Sequence, residues 1–139
     1  MITLKSAHEI ELMRRAGKIT AAARAVARDM VKPGVTTQQI DKAVHRFITE
    51  QGAIPSFLHY NGYPASVCVS VNDEIIHGIP GKRVLQEGDI VSVDVGAYIG
   101  GFHGDCAATF PCGHISLEAQ DLIDVTRQSF FEGIRFARE

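Results

Sequence analysis

The sequence predicts an α+β fold: an antiparallel sheet with amphipathic helices on one face. Three observations carry this expectation. Apolar residues recur at helical spacing through the first third of the chain, as at Ile40, Ala43, Val44, Phe47 and Ile48. Beyond Gly52 the period changes to alternation, clearest at residues 67–71, 90–95 and 102–110. The strand-like stretches also follow one another through short turns, which argues for antiparallel pairing rather than βαβ units. With 139 residues, the chain is about the size of one ordinary domain, and residues 1–139 are read as a single domain with a hydrophobic core.

The elements follow in order. Ser6 and Glu9 have the spacing of a capping box, so a helix starts there. Ile10, Met13, Ala16, Ala23, Val26, Ala27 and Met30 form its apolar positions, and Lys32-Pro33-Gly34 ends it. Thr36 or Thr37 begins a second helix; Thr36 with Gln39 repeats the capping-box spacing, and Gly52 suits the position after the helix end. Residues 55–64, PSFLHYNGYP, read as a long loop or an interrupted edge. Val67 to Val71 is a β-branched strand, Asn72-Asp73-Glu74 a turn, and residues 75–80, IIHGIP, are strand-like. A second turn region leads into DIVSVDVGAYIGGFHGDCAATF, a hairpin. Ser116 caps a last helix with Leu117, Leu122, Val125, Phe130 and Ile134 as its apolar positions. In length this helix weakly echoes the first.

Bulk properties exclude several classes. The net charge is −2 with mixed signs, so no electrostatic case exists for nucleic acid or an anionic membrane. The N-terminus lacks the apolar region of a secretion signal, and no run approaches membrane-spanning length. Cys68, Cys106 and Cys112 are odd in number and form no CxxC pair, which favours reduced thiols in a cytoplasmic protein.

The hairpin holds the chemistry. Asp94 and Asp105 are poor strand formers on its two arms. A two-residue turn at Ile99-Gly100 would set them directly opposite, about 5 Å apart. A turn at Gly100-Gly101 would make them diagonal neighbours on one face, and a three-residue turn would send them to opposite faces. Two carboxylates so close repel unless a proton or cation lies between them, and a pair of divalent metals about 3.5–4 Å apart suits that gap. The alternative is an accidental pair on a solvated face. Val93 and Val95 point into the core, while Ser92, Asp94, His103 and Asp105 share the other face.

Among the histidines, His8, His45 and His114 read as surface residues, and His59 lies in the aromatic loop. His77 is followed by Gly78, which permits close backbone approach; its imidazole is either a satisfied buried group or a donor to a substrate carbonyl. His103 is expected beside Asp105 as a supporting partner. Phe57, Tyr60, Tyr63 and Cys68 either close one end of the sheet or line a small apolar pocket.

With these residues assembled, the chain resembles the N-terminal half of the type I, bacterial-type, methionine aminopeptidases. The resemblance covers essentially the whole chain and rests on HYNGYPASVCVSVNDEIIHGIP, LQEGDIVSVDVGAYIGGFHGDCAATF and VKPGVTT, in the family's order and spacing. It implies the pita-bread α/β fold, two pseudo-symmetric halves with a metal pair between them, and removal of the initiator methionine from nascent polypeptides with a small second residue. It implies that Asp94 and Asp105 are metal ligands, that His77 contacts the scissile amide, and that Phe57, Tyr60, Tyr63 and Cys68 line the methionine pocket. Position 57 is commonly smaller in the family, cysteine for instance. The implied cofactors are two divalent ions, Mn²⁺, Fe²⁺, Co²⁺ or Zn²⁺, and the implied setting is the ribosome-associated nascent chain.

The same resemblance requires a histidine and two glutamate ligands that belong to the second half. Glu118, Glu132 and Glu139 stand in no motif that replaces them, and the chain stops at Arg138-Glu139. The expectation is a truncated form with little or no peptidase activity alone, which self-associates through an uncovered sheet edge. Two rival functions are a related proline dipeptidase and a non-catalytic peptide-binding member of the fold.

Overall fold

A computed structural model describes residues 3–137 of the chain. Arg138 and Glu139, where the sequence suggests an abrupt end, lie outside the described residues.

Helix α1 spans Ala7–Met30 and helix α2 spans Thr37–Glu50. Both begin as their capping boxes require. The Glu9 amide donates to Ser6 Oγ at 3.3 Å while Glu9 Oε2 accepts the Ser6 amide at 2.7 Å; that amide and the Ser6 hydroxyl, both donating to Glu9 Oε2, hold the Glu9 carboxyl below its usual range. In α2 the Gln39 amide donates to Thr36 Oγ1 at 3.2 Å and Gln39 Oε1 accepts the Thr36 amide at 2.7 Å. Thr36, not Thr37, is therefore the cap. Gly52 follows the end of α2 with φ of 71°, a conformation that costs glycine little.

The sheet is built on its longest inner strand. With β1 at Ile54–Pro55, β2 at Val67–Val71, β3 at Ile90–Ile99 and β4 at Phe102–Pro111, every pairing is antiparallel and every strand pairs with β3. Strand β4 follows one edge of β3 from Ile90↔Pro111 to Ile99↔Phe102. Strands β2 and β1 share the other edge end to end, through Val67↔Val95 to Val71↔Val91 and through Ile54↔Tyr98 and Pro55↔Ala97. The aromatic segment is thus an interruption in one edge, one of the two forms expected for it.

Helices α1 and α2 cover one face of this sheet. Val91, Val93, Val95 and Ala97 of β3 and Val67, Val69 and Val71 of β2 alternate inward against Ala23, Ala27, Ile40, Val44 and Ile48. Two expectations for α1 fail. Ile10 and Met13 remain 46% and 40% exposed, and Thr20 is buried instead, its hydroxyl donating to the Ala16 carbonyl at 2.9 Å. The cause is the crossing with β4. A Cβ at Gly104 would stand 2.6 Å from the Ala16 carbonyl oxygen, so the buried face of α1 follows the small residues Ala16, Thr20, Ala23 and Ala27.

Residues 75–80 are the third difference. They form no strand, because His77 adopts a left-handed φ of 57° and leaves Ile75, Ile76 and Ile79 exposed. Helix α3, Leu117–Ile134, is capped by Ser116 as expected, its hydroxyl accepting the Ala119 amide at 3.1 Å. Leu117, Leu122, Val125, Phe130 and Ile134 are all exposed on it, so α3 adds nothing to this core.

Gly104→Ala is expected to lower the unfolding free energy by about 2 kcal/mol, the usual cost of forcing a methyl into a packed crossing. Urea unfolding checks this: the midpoint should fall with no change in slope.

Candidate active site

The interruption at residues 56–66 leaves the sheet edge and stands over the face that α1 and α2 do not cover. Phe57 shows where it goes, since a Cβ at Gly96 would stand 2.7 Å from Phe57 Cε1. Gly96 and Asp94 share a face of β3, so only a glycine leaves room there for the ring. The space enclosed between this segment, the sheet and residues 77–79 is a cavity of about 560 Å³. Phe57, Tyr60, Tyr63, Cys68, His77, Asp94 and Asp105 all border it. The seven residues the family resemblance assigns to the site therefore border one cavity, while His103, expected as a supporting partner, does not. Ile79, Asn61, Gly62 and Pro64 border it too and were not anticipated; the aromatic-and-glycine composition of the segment was the available signal.

The hairpin register decides the relation of the acids. Ile99 pairs with Phe102, so the turn is Gly100-Gly101, with φ of 62° and 88°. Both values suit the turn type that matches strand twist. Asp94 pairs with Ala107 and Asp105 with Gly96, which makes the acids diagonal neighbours on the open face. On its other edge Asp94 pairs with Cys68. Burial raises the Asp94 carboxyl to about 6, helped by the charge of Asp105 and a hydrogen bond between the two carboxyls, against a smaller opposing effect of His77. Burial also raises the Cys68 thiol, with Tyr63 opposing the shift by a hydrogen bond.

The pocket walls are held by backbone bonds. The Tyr63 hydroxyl lies 3.1 Å from the Val67 carbonyl and 3.0 Å from that of Gly78, and burial pushes its pKa up. Asp41 on α2 accepts the amides of Ser66 at 2.7 Å and Val67 at 3.3 Å, where the chain rejoins the sheet. The strained turn bearing His77 is anchored at its neighbour: the Val69 amide donates to the Gly78 carbonyl at 2.9 Å, and the Gly78 amide donates to Ser70 Oγ at 3.1 Å. A side chain at 78 would collide with the Val69 carbonyl, so the glycine after His77 is a packing requirement.

Two histidines differ from expectation. His45 is not simply a surface residue, since its Nδ1 lies 2.8 Å from the buried Ser66 hydroxyl. His103 shares the face of Asp105 but pairs with Ser56, its Nδ1 lying 2.9 Å from Ser56 Oγ. His8, His59 and His114 are exposed.

The donor set fits part of a cation site. Two carboxyls forced together in a half-buried cleft, one with a raised pKa, gain by sharing a divalent ion, and oxygen donors suit hard or borderline cations. Among the described residues no group of three or more histidine, cysteine, aspartate or glutamate side chains gathers to hold one.

Because the Asp94 pKa is raised in the folded state, its stabilising contribution is present in acid and is lost as pH rises through about 6. With chelator present, Asp94→Asn is therefore expected to raise Tm at pH 7.5 by about 3 °C and to give no gain at pH 4. Thermal scans at both pH values check this.

Similarities to known proteins agree with this geometry. The model of metallopeptidase family M24 matches residues 11–139. Methionine aminopeptidase 1 of Bacillus subtilis is 48% identical over 138 residues, which are 99% of this chain and 56% of that protein. The crystal structure of methionine aminopeptidase from Thermotoga maritima superposes with a TM-score of 0.96 at 40% identity, covering 99% of this chain and 56% of the other. An Escherichia coli aminopeptidase P structure superposes less closely, with a TM-score of 0.82 at 28% identity over 96% of this chain and 30% of the other. The chain thus spans about half the length of the curated relatives it matches. It has the pita-bread fold, belongs to metallopeptidase family M24, and corresponds to the N-terminal half of the bacterial methionine aminopeptidases.

Proposed function

We propose that this chain, residues 1–139 acting as one folding unit, supplies half of the active site of a cytoplasmic methionine aminopeptidase. Such an enzyme removes the initiator methionine from nascent polypeptides. The observation that carries this reading is the single cavity bordered by an apolar pocket, His77 and the Asp94–Asp105 pair. Asp94 and Asp105 would hold the cations. Bound divalent ions such as Mn²⁺, Fe²⁺, Co²⁺ or Zn²⁺ supply Lewis-acid polarisation of a carbonyl and an activated water.

The chain's own residues do the rest. Phe57, Tyr60, Tyr63 and Cys68 exclude water around an unbranched, polarisable side chain, for which methionine is suited. His77 faces the same cavity from its anchored turn, where its imidazole donates to the scissile amide and holds the carbonyl toward the acids. The apolar pocket thereby selects the first residue, and the carboxyl pair marks where its bond to the second is cut.

Two carboxylates leave a metal pair short of donors, so this polypeptide alone is expected to bind divalent ions weakly and to turn over no substrate. The same shortage favours a second reading, a non-catalytic peptide-binding member of the fold; the proline dipeptidase alternative has less support, since the Xaa-Pro dipeptidase of Bacillus anthracis superposes less closely than methionine aminopeptidase.

Calorimetry with Mn²⁺ and a Met-Ala-Ser cleavage assay separate these readings. Weak Mn²⁺ binding that Asp94→Asn and Asp105→Asn each reduce by about tenfold or more, without turnover, is the expected result. Peptide binding with no Mn²⁺ response favours the non-catalytic reading. Turnover at 1 s⁻¹ or more, on the order of ordinary enzymes, and abolished by Asp94→Asn, would show that the chain is active by itself.

A further inference from the structure

Ser56 is the first residue of the interruption, and three contacts govern how it leaves the sheet. Its amide donates to the Gly96 carbonyl at 2.9 Å, continuing the β1 edge by one bond. Its hydroxyl lies 2.9 Å from His103 Nδ1. The His103 ring in turn packs on Tyr98, its cross-strand partner, with ring centroids 4.6 Å apart and a tilt of 40°.

These contacts span the whole sheet. Ser56 lies beyond one edge of β3 and His103 belongs to β4 on the other, so their bond crosses β3 on the face that carries both acids. The crossing passes at Gly96, where a Cβ would stand 2.8 Å from Ser56 Cβ and 2.7 Å from Phe57 Cε1. Gly96 is also the residue paired with Asp105. One bond thus ties the root of the pocket segment to the strand bearing Asp105, two residues from that acid.

We infer that Ser56 and His103 form a positioning pair that sets the apolar pocket at a fixed place relative to the Asp94–Asp105 pair. Phe57 follows Ser56 directly, so a shift at Ser56 moves a ring that borders the same cavity as Cys68. The tie at the far end binds the segment elsewhere: Tyr63 reaches β2 and the His77 turn, and Asp41 ties Ser66 to α2. Ser56 and His103 supply the link to β4. The inference rests on the proposed function only for what the pocket holds.

Cys68 reports on the pair, because it lies at the pocket floor and is 6% exposed, while the core residue Cys112 is fully buried and serves as the control. The 139-residue chain is treated with iodoacetamide under native conditions, and alkylation of each cysteine is followed by mass spectrometry. Ser56→Ala and His103→Ala are each expected to speed Cys68 alkylation about fivefold, the weight of one hydrogen bond. The double variant should be no faster than either, since both remove the same contact. Ser56→Thr should match the parent chain, and Cys112 should be unchanged throughout. An unchanged Cys68 rate, equal acceleration at Cys112, or fully additive effects would each overturn the pairing. A parallel arm adds methionine amide: protection of Cys68 in the parent, needing about fivefold more ligand in Ser56→Ala, supports the same positioning role. Absence of protection in the parent would count against methionine as the occupant, and the alkylation rates without ligand would still decide the pair.

Discussion

Two like charges on one face of a half-buried sheet are the constraint around which the rest of this molecule is arranged. Asp94 and Asp105 are diagonal neighbours because the hairpin turns at Gly100-Gly101, and burial, with the nearness of Asp105 second, keeps the Asp94 carboxyl raised to about 6. Such a pair is costly in an isolated fold, where hydrophobic side chains would serve the sheet better. It is favourable only when a proton or a cation occupies the space between. The opposite face of the same strands shows what the sheet would otherwise do: Val91, Val93, Val95 and Ala97 are fully packed against two helices. One strand therefore serves stability with its odd-numbered residues and chemistry with its even-numbered ones.

Pocket and acids come together because one edge of that strand is shared. Between Pro55 and Val67 the chain leaves the edge and returns to it, and the excursion carries most of the aromatic wall. Backbone bonds at both ends make this segment a wall instead of a loose loop. Glycines take part by what they leave out. Gly96 admits Phe57, Gly78 lets the His77 turn meet β2, and Gly104 lets α1 lie close beneath β4. Each removes a side chain where two backbones or a backbone and a ring must approach within ordinary contact distance.

Helix α3 is built differently from the other two. Its cap is sound, yet Leu117, Leu122, Val125, Phe130, Phe131 and Ile134 are exposed on it. Among the described residues this is the pattern of a structural half whose apolar surface is not covered by its own side chains. The similarity to about half of each methionine aminopeptidase is in keeping with that.

Much of this was determined by the sequence itself. Capping boxes at Ser6 and Thr36, the apolar stripe of α2, the alternation in β3 and the acids on its open face are local patterns, set by periodicities of 3.6 and 2 and by the hydrogen bonds of helix ends. The motifs around His77, Asp94 and Asp105 were equally legible, and all seven site candidates border one cavity. What only the tertiary structure decided were matters of approach between distant segments. The turn could have fallen on either of two residue pairs, and a one-residue change alters how the acids face each other. Ile10 and Met13 fit the helical period but lost their place to Thr20, because α1 had to pass close to Gly104. Residues 75–80 read as strand-like, yet His77 turns left-handed where Gly78 meets Val69. His103, expected beside Asp105, pairs with Ser56 across β3. In each case the outcome depends on the distance between segments far apart in the chain, which no local pattern encodes.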